Sequence, residues 1–240
     1  MTKVIIYQCN FGKWDMPHIK NLHVKQSYPH DYVYYDHDEE NLFPIPQHLA
    51  VWPFCVMAKA YRMFPNKCKK LQGYDLVIHL DAQDQIIHSD FVKEIVESEI
   101  MNYPVGFSMH GDRNCPYAEL NICRNIGKYV QDGEEALTSR IEKYKKEGMP
   151  ENLGLYWDGF IVYNMHNFQE KLAEVWWNEV LETNCSWPCS QGCLIYALWK
   201  TGVKPKVFPR EYGLNHYFIV NNHKHTYPRE LWPPGFIQDW

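Results

Sequence analysis

The most informative segment of this chain is Tyr74-Asp-Leu-Val-Ile-His-Leu-Asp-Ala-Gln-Asp-Gln-Ile86. Its run from Leu76 to Leu80 is short and almost entirely apolar, which is typical of a strand buried on both faces of a sheet. The run ends at Asp81, and Gln83 and Asp84 follow closely. Because open α/β sheets keep their ligand sites at the carboxyl ends of buried strands, we expect a site here.

Asp81 and Asp84 are the candidate ligands of a divalent cation. Carboxylate oxygens are the hard ligands that Mg²⁺ and Mn²⁺ prefer. The segment is a variant of the Asp-x-Asp motif, by which many nucleotide-sugar glycosyltransferases hold Mn²⁺ or Mg²⁺ against a diphosphate. Asp-Ala-Gln lacks the second acid at its usual place. A solvated turn after a core strand is therefore an equal alternative.

The composition describes an acidic, aromatic-rich chain. Of its 240 residues, 45% are hydrophobic, which is enough to build the core of one domain. The net charge of -5 and the pI of about 6.2 argue against a nucleic-acid partner, because such proteins usually present a basic face. Aromatic residues reach 15%, which suits the binding of sugar rings but also fits a core of larger side chains.

The sequence contains no segment that approaches the roughly 20 apolar residues of a transmembrane helix. It runs from Met1 directly into a predicted strand, so we expect no signal peptide. We therefore expect a cytoplasmic protein, or one that is peripheral at a membrane.

Strands and helices alternate along the chain, which predicts an α/β fold with one mixed sheet flanked by helices. The apolar patterns predict strands at 3–8, 32–35, 76–80, 105–109, 160–163 and 203–208. They predict helices at 49–64, 90–101, 117–146, 168–181 and 191–201. We expect Tyr212 to Trp240 to be a tail packed back over the sheet.

Polar residues follow several of the predicted strands. Asn10 and Gly12 follow the first strand, where α/β folds often bind a nucleotide. His110 and Asn164 follow two later strands. A βαβ arrangement gathers its chemistry at one edge, so we expect Asp81, His110 and Asn164 to lie along the same edge of the sheet.

Three further charged residues are candidates for the site. Lys59 and Arg62 fall off the apolar face of the predicted helix 49–64 and could reach a diphosphate, although lone basic residues on a helix are more often solvated. Asp158 precedes a predicted strand and is the candidate carboxylate for contacting the hydroxyl acceptor of a sugar transfer. A turn cap together with Gly159 is its alternative role.

An ordered set of short motifs extends over about residues 3–208: Phe11-Gly-Lys-Trp-Asp15, Leu80-Asp-Ala-Gln83, His110-x-x-Arg113-x-Cys115-x-Tyr117-x-Glu119, Tyr144-x-x-x-Gly148-Met-Pro150, His166-Asn167, Trp176-Trp-Asn-Glu179, and Gln191 with Tyr196-Ala-Leu-Trp-Lys200. With these motifs the chain resembles the glycosyltransferase-like domain family of plant turgor-regulation-defect and mucilage-related proteins and their bacterial and algal-virus relatives. Each motif is short, and the order of the whole set carries the resemblance.

The resemblance implies a GT-A-like, Rossmann-related fold in one domain, residues 1–240. The nucleotide half is expected at about 1–110, the acceptor half at about 111–208 and the tail at 209–240. The implied activity is metal-assisted transfer of a hexose or pentose from a nucleoside diphosphate sugar to a glycan or other hydroxyl acceptor. We expect the nucleoside diphosphate to be UDP. Mn²⁺ or Mg²⁺ would be the cofactor and polysaccharide biosynthesis the context.

The implied roles divide the candidate residues into four groups. The catalytic residues are Asp158 and His110. The donor-binding residues are Asn10, Gly12, Lys59, Arg62, Asp81 and Arg113, although a salt bridge to Glu119 explains Arg113 equally well. The acceptor-binding residues are Trp157, His166 and Gln191. The metal ligands are Asp81 and Asp84.

The chain departs from the pattern of this family at two positions. Members generally carry Asp-Gln where this chain has Ser190-Gln191, and Gln83 replaces the second acid of the Asp-x-Asp pattern. The missing acids keep two alternatives open. One is a catalytically weak module that binds nucleotide sugars or glycans on the same fold, and the other is a metal-dependent phosphohydrolase.

Overall fold

The computed structural model describes residues 1–11, 22–36, 39–49, 53–125, 133–182, 190–209 and 217–220. Within these ranges, strands β1 to β8 span Val4–Cys9, Asp31–Tyr35, Leu76–Asp81, Asp84–Ile86, Val105–Met109, Tyr156–Asn164, Lys206–Phe208 and Phe218–Val220. Helices α1 to α6 span Pro53–Met63, Phe91–Glu97, Pro116–Asn125, Gly133–Lys146, Glu170–Glu182 and Ser190–Thr201.

The main sheet has six strands in the order β2-β1-β3-β6-β5-β7. All neighbouring pairs are parallel except the two that involve β6, which runs antiparallel to both β3 and β5. Strands β4 and β8 form a separate antiparallel pair. The predicted fold class, a mixed α/β sheet flanked by helices, is confirmed.

The direction of β6 decides which chain segments meet at the edge where β3 ends. Because β6 is antiparallel, its first residues lie at that edge, together with the carboxyl ends of β1, β3 and β5. Asn164, at the end of β6, pairs with Leu76, the first residue of β3. The prediction that Asn164 shares the edge of Asp81 is therefore wrong, whereas His110 follows β5 at the same edge as Asp81.

Alternate residues of the central strands face two separate cores, as the period of a strand requires. Val77 packs in the core formed with α1, α5 and α6, whereas Ile78 and Leu80 pack in the core formed with α2. Phe218 of β8 joins the α2 core. The side chains of His79 and Asp81, in step with Val77, therefore belong to the α1 face of the sheet.

Several element boundaries differ from the predicted ones. In the region predicted to be helical at 117–146, the described residues form α3 and α4, and residues 126–132 lie outside the described ranges. Helix α2 ends at Glu97, and Glu99 shortly after it adopts a left-handed backbone with φ 64°, which stops a right-handed helix. Strand β6 begins at Tyr156, four residues before the predicted start. The predicted tail contains β8, which pairs with β4.

Among the described residues, none of the helices combines the length and the apolar character that crossing a membrane requires.

Candidate functional site

Arg62 lies at the centre of a buried cluster of polar and charged side chains at the edge where β3 ends. Its Nη1 atom donates to Oδ2 of Asp158 at 2.8 Å, its Nη2 atom donates to Oδ1 of Asp81, and its Nε atom donates to Nε2 of His79 at 3.1 Å. Only 8% of Arg62 and 6% of Asp158 is exposed. One guanidinium group thus joins α1 to β3 and β6.

The positions of Arg62 and Asp81 follow from simple features of the sequence. Arg62 is in the last turn of α1, where the partial negative charge of the helix carboxyl end favours a cation. Asp81 is the last residue of β3, and His79 precedes it by two positions on the same face. The helix that covers this face therefore meets both side chains.

Asp158 reaches the cluster through an irregularity in β6. Phe107 of β5 pairs with Ile161, but Ser108 pairs with Trp157, so residues 158–160 lie outside the β5 ladder. Such bulges re-aim side chains and occur often beside functional sites. The interpretation of Asp158 as a turn cap before the strand is wrong, because Asp158 lies inside β6.

Gly159 allows two side chains to approach the backbone of β6 closely. A Cβ atom at this position would lie 2.6 Å from Oδ2 of Asp81 and 2.6 Å from Cε2 of Trp157. Cβ atoms do not approach non-bonded atoms this closely, so a larger residue here would displace Asp81 or Trp157. The half-buried Trp157 therefore lies beside the Asp81 carboxylate, on its β6 side.

Ser190 and Lys59 extend the cluster towards α6. Lys59 Nζ donates to Ser190 Oγ at 2.6 Å, and Ser190 Oγ in turn donates to Oδ2 of Asp158. The indole Nε1 of Trp176 donates to the backbone oxygen of Ser190 at 2.9 Å and fixes the first residue of α6. Lys59 is half-buried in this cluster, so it is not the solvated basic residue that the alternative interpretation of the sequence described.

The protonation states follow from burial and from the two cations. Burial raises the pKa of Asp81 and of Asp158. The charge of Arg62 opposes it together with the charge of Lys59 and side-chain hydrogen bonds, and their sum lowers the pKa of each carboxyl group, so both are ionised. Burial lowers the pKa of His79 to about 4, so its ring is neutral at pH 7. Burial, followed by the charge of Arg62, also lowers the pKa of Lys59. Two cations thus balance two carboxylates.

His110 and Arg113 form a second group at the same edge. The Nδ1 atom of His110 accepts hydrogen bonds from the backbone N–H groups of Asp112 at 3.1 Å and Arg113 at 3.2 Å, and its Nε2 atom lies 2.9 Å from Nη2 of Arg113. Arg113 also forms an ion pair with the buried Glu119, as the alternative for this residue predicted. Both ring nitrogens of His110 are engaged within its own loop, which does not suit a general base.

The remaining predicted site residues fall into three groups. Asn10 and Gln191 lie near the cluster: Asn10 is buried directly after β1, and Gln191 is the second residue of α6. His166 lies at the opposite edge of the sheet, where its Nε2 atom contacts Oδ1 of Asp75 at 2.7 Å, just before β3 begins. Gly12 lies outside the described residues.

The predicted pair of metal ligands, Asp81 and Asp84, does not fit a divalent ion in this structure. One oxygen of Asp81 accepts from Arg62, and Asp84 lies in β4 with none of its surface exposed. Within the described ranges, no three His, Cys, Asp or Glu side chains are grouped so that they could hold a metal ion.

Sequence reasoning missed His79, Gln8 and Gly159, and it noted Ser190 only as a departure from a family pattern. His79 could have been found from the two-residue period of β3, since it shares a face with Asp81. The sequence gives Gly159 only the alternative role of forming a turn cap with Asp158, and its close approach to Asp81 needs the folded chain. Gln8 carries no signal in the sequence, because the backbone oxygens to which its amide donates lie on β3 and β4, far along the chain.

No family model and no curated protein matches this chain. Solved structures that match include core-mannan synthase A (CmsA/Ktr4) from Aspergillus fumigatus in its Mn/GDP form, with 11% identity, coverage of 87% of this chain and 73% of that chain, and a TM-score of 0.49. Another is the apo form of mouse xyloside xylosyltransferase 1, with 7% identity, coverage of 87% and 85%, and a TM-score of 0.47. Likeness at this level carries no inference about activity or site residues, and these comparisons do not show membership of the plant-type family.

Proposed function

We propose that this protein is a glycosyltransferase that moves a sugar from a nucleoside diphosphate sugar to a hydroxyl group of a glycan acceptor. The observation that supports it is the cluster at the end of β3, where the ionised Asp81 and Asp158 meet the cations Lys59 and Arg62. Sugar transfer separates charge, because the leaving diphosphate becomes more negative while the sugar ring becomes more positive. A buried site that offers both signs of fixed charge can stabilise both parts.

The donor would bind between the carboxyl end of β1 and the end of β3. Asn10 lies at the first of these ends, and Lys59 and Arg62 lie beside the second. Their ammonium and guanidinium groups would contact the diphosphate, with Arg113 nearby in the second group of this edge. Asp81 would accept a hydrogen bond from a hydroxyl group of the ribose or the sugar. UDP is the expected nucleotide, and residues 1–110 are the proposed nucleotide half.

Asp158 would act on the acceptor side. In the transfer step the acceptor oxygen forms a bond to the anomeric carbon, and the bond from that carbon to the diphosphate oxygen breaks with its electron pair. The hydroxyl proton passes to the Asp158 carboxylate and then to solvent. The lowered pKa of Asp158 makes it a weak base, so the proton moves late, when the new bond has made the hydroxyl strongly acidic.

The acceptor ring would stack on Trp157, whose indole lies beside the Asp81 carboxylate above Gly159. Gln191 would contribute hydrogen bonds from the start of α6. His110 would hold the 110–113 loop and Arg113 within it, in place of the catalytic role expected from the sequence. No step is assigned to Mn²⁺ or Mg²⁺, because Asp81 and Asp84 do not fit such an ion.

A thermal-shift screen of UDP- and GDP-linked sugars tests the donor, since a ligand that binds the folded state stabilises it by mass action. Release of nucleoside diphosphate in the presence of a panel of glycan acceptors then tests transfer. The variant Asp158→Asn should bind the donor like the wild type but transfer about 10²–10³-fold more slowly, a loss typical of an aimed electrostatic contact. If none of these nucleotide sugars raises the melting temperature of the wild type, the proposal fails.

The second candidate is a module that binds nucleotide sugars or glycans without turnover. The observation that favours it is that Arg62 is hydrogen-bonded to both carboxylates, Asp81 and Asp158, at the same time, so neither carboxylate is held apart for catalysis. The same experiments separate the two functions. Binding of a nucleotide sugar with neither transfer nor hydrolysis, across the acceptor panel and with Mn²⁺ or Mg²⁺ added, would favour the binding module.

A further inference from the structure

Gln8 on β1 is hydrogen-bonded to both ends of the turn that follows Asp81. Its Nε2 atom donates to the backbone oxygen of Asp81 at 2.7 Å and to that of Asp84 at 2.8 Å. None of the surface of Gln8 is exposed. A single side-chain amide therefore closes the connection between β3 and β4.

The other end of the same amide is held equally firmly. Oε1 of Gln8 accepts from the hydroxyl of Tyr32 at 2.5 Å and lies 2.9 Å from Nε2 of His23. Nδ1 of His23 accepts from the backbone N–H of Ile86 at 3.0 Å, so the neutral ring carries its proton on Nε2, directed at Gln8. Both N–H donors and both acceptor positions of the Gln8 amide therefore have hydrogen-bond partners, and the orientation of the amide is fixed.

The amide and the Asp81 carboxylate lie on opposite faces of the sheet. Gln8 pairs with Leu80 in the β1–β3 ladder, and the side chain of Leu80 packs in the α2 core. Asp81, one residue later, faces α1 and Arg62. Gln8 thus holds the backbone of Asp81 from behind, while the carboxylate is directed into the cluster.

We propose that Gln8 is a positioning residue, which sets the place of Asp81 in the site, with His23 and Tyr32 fixing the orientation of its amide. The proposal rests on the proposed function in one respect, because Asp81 is taken to contact the donor. A buried hydrogen-bond network in which every donor and acceptor has a partner holds a single arrangement, and a network that loses some partners no longer holds it. Loss of the Gln8 amide would therefore release the turn between β3 and β4, whereas loss of the Tyr32 hydroxyl would only weaken the hold on that turn.

Amide hydrogen exchange tests the hold on the turn without any ligand. Gln8→Met should raise the exchange rates at residues 82–86 by at least about tenfold, because breaking one or two hydrogen bonds costs about that factor in local opening. The matched control is Gln72→Met, whose exposed amide also donates to two backbone oxygens, those of Asn66 and Cys68. Tyr32→Phe is a milder variant that keeps the amide, in case Gln8→Met does not fold.

A double-mutant cycle on UDP affinity, measured by calorimetry, tests the action through Asp81. Gln8→Met alone should weaken UDP binding by about 2–10-fold, and Tyr32→Phe by less. In an Asp81→Asn background the same change at Gln8 should have an effect of less than about twofold, because a residue that acts through another loses its effect when that other is removed. A general loss of stability would instead weaken binding equally in both backgrounds.

The outcomes separate this proposal from the proposed function. Faster exchange at 82–86 together with non-additive affinities supports both. Unchanged exchange at 82–86 in Gln8→Met and Tyr32→Phe overturns the positioning role even if UDP binds. Additive affinities also overturn it. If the wild type binds no nucleotide, the proposed function fails. The exchange rates and the ¹⁵N shifts of the His23 ring then decide the positioning role of Gln8 alone. A proton on Nδ1 of His23 would count against that role.

Discussion

Arg62 is the residue on which the candidate site depends, since it contacts Asp81, Asp158 and His79 at once. Replacing it by Met would remove the cation that contacts both the buried Asp158 and the half-buried Asp81. Of the two cations in the cluster, Lys59 would remain, and it reaches Asp158 through Ser190. Breaking a buried pair in this way typically lowers the free energy of unfolding by about 3–5 kcal/mol. We therefore expect a loss of this size for Arg62→Met, measured by urea unfolding at pH 7.

The matched control for this prediction is Lys200→Met. Lys200 also pairs with a carboxylate, with Nζ 2.6 Å from Oε2 of Glu147, but 48% of its side chain is exposed. Exposed pairs typically contribute about 0–1 kcal/mol, so this variant should unfold close to the wild type. Equal losses for the two variants would contradict the central role of Arg62.

His79 makes the stability of the protein depend on pH. Burial lowers the pKa of its folded-state ring to about 4, below the value of about 6.5 for an exposed histidine. The unfolded chain therefore binds the proton more readily, so stability is fully present above about pH 6.5 and decreases as the pH falls towards about 4. His79→Gln should reduce the slope of the free energy of unfolding against pH in this window, measured by urea unfolding at a series of pH values.

Other titrating groups can be kept apart from this effect. Because the pKa values of Asp81 and Asp158 are lowered, their contribution is present above about pH 4 and is lost only as the pH falls below it. Burial also lowers the pKa of His23 to about 4, so part of the slope should remain in His79→Gln. A slope identical to that of the wild type would show that His79 is not protonated on unfolding.

At the scale of the element, the irregular part of β6 brings Asp158, Gly159 and Trp157 together. Gly159→Ala would place a methyl group 2.6 Å from both Asp81 and Trp157, so one of them must move. We expect a loss of about 1–3 kcal/mol in the free energy of unfolding, as is usual for overpacking. Donor affinity should fall as well, because the displaced side chains belong to the site.

Gly192→Ala is the control for this change. Its new methyl group would lie 3.2 Å from Cδ2 of Leu120, the end of a flexible side chain, and it would be inside α6. Alanine in a helix interior is favoured over glycine by about 1 kcal/mol, which offsets the crowding. Melting temperature and UDP affinity should therefore stay near the wild-type values. Unchanged affinity in Gly159→Ala would contradict the assignment of Asp81 and Trp157 to one site.

The elements also show how far the sequence could predict this structure. Strand β5 was predicted at its observed bounds, and β1 and β3 to within one residue, because each is a short and mainly apolar run. The sequence pattern of β6 predicts a strand but contains no information about whether its neighbours run parallel or antiparallel. Its irregular start, with Asp158 inside the strand, depends on pairing with β5 and cannot be read from local sequence.

At the scale of the whole molecule, the antiparallel β6 sorts the polar strand ends into two edges. Asp81, Asp158 and the start of α6 gather at one edge, because strand direction and the packing of α1 bring them there. Lys59 and Arg62 were predicted as donor contacts from type and position, but their hydrogen bonds to Ser190, Asp158 and Asp81 require the folded chain. The alternation of strand and helix patterns led to the fold class, and tertiary contacts decide the site.

The separation of the two edges gives a direct test of this topology. Asp75 lies just before β3 and Asp81 at its end, six residues later, so Asp81 and the His166–Asp75 pair lie about 20 Å apart along the strand at the usual rise of about 3.3 Å per residue. His166→Ala should therefore leave the affinity for UDP and the KM for the acceptor within about twofold of the wild type, an effect of less than about 0.5 kcal/mol. Asp81→Asn, measured in parallel, should weaken UDP binding by at least about tenfold, as expected for the loss of a charged hydrogen-bond partner. Asp81→Asn keeps a side-chain oxygen that can accept from Arg62. Cooperative melting of both variants above the assay temperature shows that the comparison reports on the site. A large rise in acceptor KM for His166→Ala would mean that the acceptor reaches the far edge of the sheet, and would restore the role that the sequence assigned to this histidine.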